Sequence, residues 1–97
     1  MRIRSIALVA FCSLLVSAAW AQSRPRDGAC FYVDINFRGD SFCANVGDSV
    51  ANMPSGFNDR VRSIQVFGRA EVVFFNDNNF MGGMNRTREN IPDLRAL

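Results

Sequence analysis

The sequence predicts an all-β sandwich built from two similar halves. Residues 31–42 (FYVDINFRGDSF) and residues 74–85 (FFNDNNFMGGMN) match at five positions at one fixed offset, including two phenylalanine pairs and one glycine pair. An internal repeat of this kind defines the architectural unit before any chemistry is argued. Short strand-like segments lie between glycine-rich turns, and no segment keeps an apolar period of 3.6 residues long enough to predict a helix.

Residues 1–21 are predicted to be a secretory signal peptide. Arg2 and Arg4 form a basic start, residues 6–16 form an apolar core, and residues 19–21 (AWA) form a small-residue cleavage site. The apolar stretch is too short to favour a membrane-spanning helix. We therefore expect a secreted or periplasmic protein that has no membrane association once the signal peptide is removed.

The charge pattern argues against a nucleic-acid partner. The chain has 11 basic residues, all arginine, and 9 acidic residues, and the loss of Arg2 and Arg4 with the signal peptide brings the two signs into balance. The remaining arginines are interspersed with acids rather than clustered. Without histidine or lysine, carboxylates are the general bases that remain, and the serines have no activating partner. We predict that the protein is not an enzyme.

Two cysteines, Cys30 and Cys43, remain after the signal peptide is removed. An exported protein can pair them in a disulfide, and closing a loop of about 14 residues stabilises a small domain by roughly 3 kcal/mol. Their symmetric positions about the predicted turn at residues 36–40 favour a cross-strand pair. The alternative, two free thiols that bind a metal or act as a nucleophile, lacks a histidine partner.

The predicted elements follow a polar, flexible lead-in at residues 22–28, and the folded domain is expected to span residues 29–97. A loop broken by glycine and proline interrupts the strands and holds at most a short strand around Val50. In chain order the prediction is a strand at 29–35, a turn at 36–40, a strand at 41–46, the loop at 47–57, strands at 63–67 and 71–75, and a second hairpin at 75–87.

Each half contains the pattern aromatic-x-x-x-x-aromatic-x-Gly, which resembles the Greek-key signature of the βγ-crystallin superfamily. In that family the hairpin between the first two strands folds over on itself. A glycine is needed where the chain takes a positive φ, and the two aromatic rings cover the folded hairpin. The residues that carry the resemblance are Tyr32, Phe37 and Gly39 in the first copy and Phe75, Phe80 and Gly82 in the second.

The resemblance implies a βγ-crystallin-like Greek-key sandwich of two motifs, at about residues 29–68 and 69–97. Each motif should have four strands, but no counterpart of the strand at 63–67 follows the second copy before Leu97. The second Greek key is therefore expected to lack its last strand. Either the chain is an incomplete version of a longer one, or an open sheet edge is covered by a partner strand or by self-association.

The resemblance also implies a calcium loop at residues 58–63 (NDRVRS), which is similar to the family motif N/D-N/D-x-x-S/T-S. Carboxylate, amide and hydroxyl oxygens are the hard ligands that Ca²⁺ takes. Arg62 stands where the motif has serine or threonine, so a hydroxyl is lost and a cation is added, and the expected binding is weak or lost. The implied ligands are Asn58, Asp59 and Ser63, with Asn76 and Asp77 from the hairpin of the second Greek key.

Together these inferences favour a secreted βγ-crystallin-like structural or binding domain with weak calcium binding. The alternative is a small secreted metalloprotease inhibitor, because a group of such inhibitors with disulfides resembles the same fold. Its partner would be an extracellular protease.

Overall fold

The computed structural model describes residues 2–10 and 25–96, which form two antiparallel sheets. Two short 3₁₀ turns, Asn78–Phe80 and Leu94–Ala96, accompany the strands. No helix within these residues is long and apolar enough to cross a membrane. The strands are β1 (Ser5–Ala10), β2 (Gly28–Asp34), β3 (Arg38–Asn45), β4 (Ser49–Val50), β5 (Ser63–Phe67), β6 (Ala70–Asp77) and β7 (Met81–Thr87).

The two sheets have the strand orders β3-β2-β5 and β4-β1-β6-β7. The hairpins β2–β3 and β6–β7 are the two copies of the repeat. Each copy sends its third strand to the opposite sheet: β4 pairs with β1, whereas Ile91 forms a single antiparallel bridge with Ile64 in β5. This exchange is the Greek-key arrangement, so the predicted all-β sandwich of two Greek keys is confirmed.

The strand β1 is the element that the sequence analysis did not predict. It belongs to the segment interpreted as a signal peptide, yet it pairs with β6 from Ser5 opposite Phe75 to Ala10 opposite Ala70. The second Greek key has no fourth strand after β7 within the described residues, and β1 fills that place, as β5 does in the first Greek key. The strand β6 therefore has a neighbour on both sides.

The predicted cleavage site at residues 19–21 lies outside the described residues, so the signal peptide stays a prediction. In one molecule, residues 1–21 cannot be both a signal peptide that has been cleaved off and the source of β1 in the folded domain. A chain that had been cleaved after Ala21 would lack β1.

The core lies between the two sheets, and β1 contributes to it with a period of two. Ile6 and Leu8 are buried, whereas Val9 is 45% exposed, as expected for a strand with one face toward the core. Phe31 and Phe74 are the largest fully buried side chains and occupy equivalent positions in the two repeats. The rest of the buried cluster is Ile3, Ala29, Ala44, Met53, Val61, Ile64, Val72 and Leu94.

Most predicted strands agree with the structure, and the strand at 63–67 agrees at both ends. The short strand at Val50 is β4. The folded part begins earlier than predicted, because Gly28 is the buried first residue of β2 and the Asp27 carboxylate accepts a hydrogen bond from the Arg69 N–H at 2.8 Å. Residues close to Gly28 are thus fixed to the domain rather than part of a flexible lead-in.

Cys30 and Cys43 lie directly opposite each other on β2 and β3 and form a disulfide. Cys30 is buried, with 1% of its surface exposed. The predicted cross-strand pair is confirmed, and it fixes the first hairpin close to the hydrophobic core.

Candidate functional site

Each hairpin folds over on itself at two consecutive residues with left-handed backbone angles, and a glycine follows two positions later. A side chain at the glycine is disfavoured, because Gly39 has a φ of 83° and a Cβ there would also lie 2.6 Å from the Asp34 Oδ2 atom. The two hairpins share this geometry residue by residue: φ is 59° at Asn36, 60° at Phe37 and 83° at Gly39, and 60° at Asn79, 60° at Phe80 and 79° at Gly82.

An aromatic pair covers each folded hairpin. The rings of Tyr32 and Phe37 meet edge to face with centroids 6.0 Å apart, and those of Phe75 and Phe80 do the same at 5.6 Å. This is the preferred geometry for two aromatic rings. The signature residues of the repeat therefore shape the hairpins.

A buried serine fastens the first folded hairpin. The Ser63 hydroxyl donates to the Asp34 carbonyl oxygen at 2.6 Å and accepts from the Phe37 N–H at 3.0 Å. Ser63 was predicted to be a calcium ligand together with Asn76 and Asp77. The structure instead places its hydroxyl on the hairpin of its own Greek key.

The second folded hairpin is fastened in the same way by Ser5. Its hydroxyl donates to the Asp77 carbonyl oxygen and accepts from the Phe80 N–H, both at 3.0 Å. Ser5 and Ser63 are both fully buried. Ser5 thus does for the second Greek key what Ser63 does for the first.

The carboxylate of Asp59, the acidic residue of the predicted calcium loop, is held by two arginines. Arg4 donates from Nε to Oδ1 at 3.1 Å and from Nη2 to Oδ2 at 2.8 Å, and Arg2 donates from Nη2 to Oδ2 at 3.1 Å. Hydrogen bonds from Arg4, and to a smaller extent from Arg2, hold the pKa of Asp59 well below its usual range. Burial acts in the opposite direction. The same bond raises the pKa of Arg4.

The cation beside the predicted calcium loop is therefore Arg4 rather than Arg62. Arg62 is exposed, and its charge acts on Asp93 instead. The pKa of Asp93 is lowered mainly by hydrogen bonds from Arg95, with a smaller effect of Arg62. Position by position, Arg4 in the second Greek key corresponds to Arg62 in the first.

The hairpin ligands predicted from the second Greek key lie close to the two arginines, since the charge of Asp77 helps to raise the pKa of Arg4. Asn58 is exposed, and Asn76 and Asp77 line a surface depression together with Arg2. Within residues 2–10 and 25–96, no three His, Cys, Asp or Glu side chains are grouped to hold a metal. In this arrangement the residues do not fit Ca²⁺, because the carboxylate of the loop itself, Asp59, already binds two guanidinium groups.

A family model described as Beta/Gamma crystallin matches residues 25–95. The chain belongs to the beta/gamma crystallin family. No match to the chain is found among curated proteins or among solved structures. The family match covers both folded hairpins and the loop at 58–63, whereas β1 lies outside it. The beta/gamma crystallin fold of this chain is thus completed by residues that lie outside the matched range.

Arg4 and Ser5 are absent from the predicted site residues, because both lie in the predicted signal peptide. One signal could have found them. The tripeptide Arg-Ser-Ile occurs at residues 4–6 and again at residues 62–64, and in the structure these two copies occupy equivalent places.

Proposed function

We propose that this beta/gamma crystallin domain has a structural role and that, in the uncleaved chain, an internal arginine takes the place of calcium. The observation that supports the proposal is the two-pronged contact of Arg4 with the Asp59 carboxylate. Calcium binding is weak or absent while Arg2 and Arg4 are in place. The role is structural rather than catalytic, in keeping with the general character of the family.

A carboxylate that projects from a loop is stabilised when a cation with matching geometry binds both of its oxygens, and a guanidinium group does this with two parallel hydrogen bonds. The Asp59 N–H also donates to the Ile3 carbonyl oxygen at 3.4 Å. The loop is therefore connected to the N-terminal segment by backbone and side chain, and Ca²⁺ would have to displace two guanidinium groups.

Export is supported by the signal-peptide character of residues 1–21. Cleavage after Ala21 would remove Arg2 and Arg4 and leave the Asp59 carboxylate without these partners. We therefore propose that the cleaved form binds calcium more tightly than the uncleaved chain, with a Kd of about 1 mM, a value common for extracellular modules.

The test is a thermal melt of the full chain in about 10 mM calcium and again in chelator. A site with a Kd of about 1 mM adds roughly 1.4 kcal/mol to the free energy of unfolding at that concentration, which corresponds to a rise in Tm of about 6–11 °C. We expect a shift below about 1 °C for the wild-type chain and the larger shift for the double variant Arg2→Gln, Arg4→Gln, which keeps β1.

The matched control adds Asp59→Asn to the double variant, and the calcium-dependent rise should disappear. A double variant whose Tm ignores calcium would contradict the proposal, as would a wild-type chain that gains several degrees. The chain that begins at Gln22 is measured in parallel, because it represents the proposed exported form.

The metalloprotease inhibitor stays a prediction. Purified domain should then inhibit a thermolysin-like protease and lose that inhibition when the Cys30–Cys43 disulfide is reduced. A domain without effect on the protease at any concentration would remove this hypothesis.

A further inference from the structure

Residues 2–10, which include β1, fill the position between β4 and β6. Residues 11–24 join this segment to the rest of the chain. We propose that this position is a strand-acceptor site, which binds an extended peptide of defined pattern, and that residues 2–10 are its ligand in this chain. The proposal does not depend on calcium binding or on export. It concerns the recognition of a strand that can be separated from the domain.

The segment reproduces backbone contacts that β5 and the residue before it make in the first Greek key. In both Greek keys the arginine before the serine makes two backbone hydrogen bonds, and the isoleucine after the serine pairs with the third strand of the other Greek key. In the second Greek key the Arg4 N–H donates to the Phe75 carbonyl oxygen and the Met53 N–H donates to the Arg4 carbonyl oxygen, both at 2.9 Å. In the first the Arg62 N–H donates to the Tyr32 carbonyl oxygen and the Leu94 N–H donates to the Arg62 carbonyl oxygen, both at 2.8 Å. Ile6 pairs with Val50, and Ile64 pairs with Ile91.

The acceptor site contacts the side chains of the segment as well as its backbone. Ile3, Ile6 and Leu8 are 0%, 0% and 4% exposed and project into the shared core. The Ser5 hydroxyl completes the folded hairpin of β6 and β7, and the Arg4 guanidinium binds the Asp59 carboxylate. The acceptor site therefore recognises the pattern apolar-Arg-Ser-apolar-x-apolar.

The site offers a strand partner on each side. The segment pairs with β6 over six residues and with β4 over two. Backbone hydrogen bonds to a sheet supply affinity in strand addition, and pockets for alternate side chains supply specificity. The nine residues of this segment make both the backbone hydrogen bonds and the side-chain contacts.

The experiment begins with the full chain, into which a recognition sequence for a site-specific protease is inserted within residues 11–24. The folded protein is cleaved in chelator and examined by size-exclusion chromatography, mass spectrometry and thermal melting. A fluorescent peptide of residues 2–10 (RIRSIALVA) is then added in excess. Working in chelator keeps the result separate from the calcium proposal.

We expect the cleaved N-terminal fragment to elute with the domain and to be replaced by the labelled peptide. A peptide with Ser5→Ala should bind at least about tenfold more weakly, because two buried hydrogen bonds are lost. A scrambled peptide of the same composition is the matched control and should not compete. If the cleaved domain loses its fold when the fragment dissociates, the labelled peptide should restore the original Tm.

Three results would overturn the proposal. The fragment could dissociate while the Tm of the domain stays unchanged, or the scrambled peptide could bind as tightly as the native one. The cleaved domain could also form a dimer that does not bind the peptide. The last result would assign the site to a second copy of the chain.

Discussion

The equivalence of Ser5 and Ser63 gives a prediction with an internal standard. Ser63→Ala removes the hydroxyl that fastens the first folded hairpin, and Ser5→Ala removes its counterpart in the second. Both serines are fully buried, and both bind one backbone carbonyl oxygen and one backbone N–H. The two substitutions should therefore destabilise the domain by similar amounts.

The magnitude follows from the two backbone groups that each substitution leaves without a partner. An unsatisfied buried donor or acceptor costs about 1–3 kcal/mol, so that the loss of one hydroxyl costs about 2–4 kcal/mol when some relaxation is allowed. For a domain of this size each 1 kcal/mol lowers the Tm by about 4–8 °C. We expect both variants to melt about 8–30 °C below the wild-type chain.

The assay is a thermal melt followed by circular dichroism in chelator, with the disulfide intact. The exposed Ser49 provides the control, because Ser49→Ala should change the free energy of unfolding by no more than about 0.5 kcal/mol. A Ser5→Ala variant that melts like the wild type, beside a strongly destabilised Ser63→Ala variant, would refute the placement of β1. If both were silent, the hydrogen bonds of the hairpins would be refuted as stabilising contacts.

Two further predictions concern the ion pair and the disulfide. The pKa of Asp59 is lowered in the folded state, so the stabilisation from its ion pair is present above the unfolded pKa of about 3.9 and is lost as the pH falls below about 4. In a plot of the urea midpoint of unfolding against pH, Arg4→Gln should flatten the slope in this acidic range. An unchanged slope would contradict the pairing of Arg4 with Asp59. Reducing the Cys30–Cys43 disulfide in a Cys12→Ser background should lower the Tm by about 12–24 °C, from roughly 3 kcal/mol of loop closure, and the double variant Cys30→Ala, Cys43→Ala should melt at a similar temperature.

The fold could be predicted from sequence where the information is local. The two folded hairpins follow from aromatic, asparagine and glycine residues within eight positions of each other, and the disulfide follows from two cysteines placed symmetrically about a turn. β1 could not be predicted in this way. Its apolar residues, Ile6 and Leu8 among them, fit both the core of a signal peptide and a buried strand, and a short apolar run does not distinguish the two.

The candidate site was predicted in part for a related reason. Asp59 is among the ligands that the resemblance implies, because the motif of the loop is contiguous in the sequence. Its partner Arg4 lies 55 residues away, and nothing in the local pattern specifies that pairing. The cation was expected from the neighbouring Arg62 and is supplied by the equivalent position of the other Greek key.

The pairing of β1 with β6 also determines when the domain can close during synthesis. Ser5 leaves the ribosome first, but its partner Phe75 follows 70 residues later, which is about 4–14 s at common rates of translation. During that interval the residues of the first Greek key are synthesised, whereas the N-terminal segment can pair only with the two-residue strand β4. Any export machinery that reads residues 1–21 competes with folding only after this delay, so the order of synthesis gives targeting the first opportunity to bind the segment.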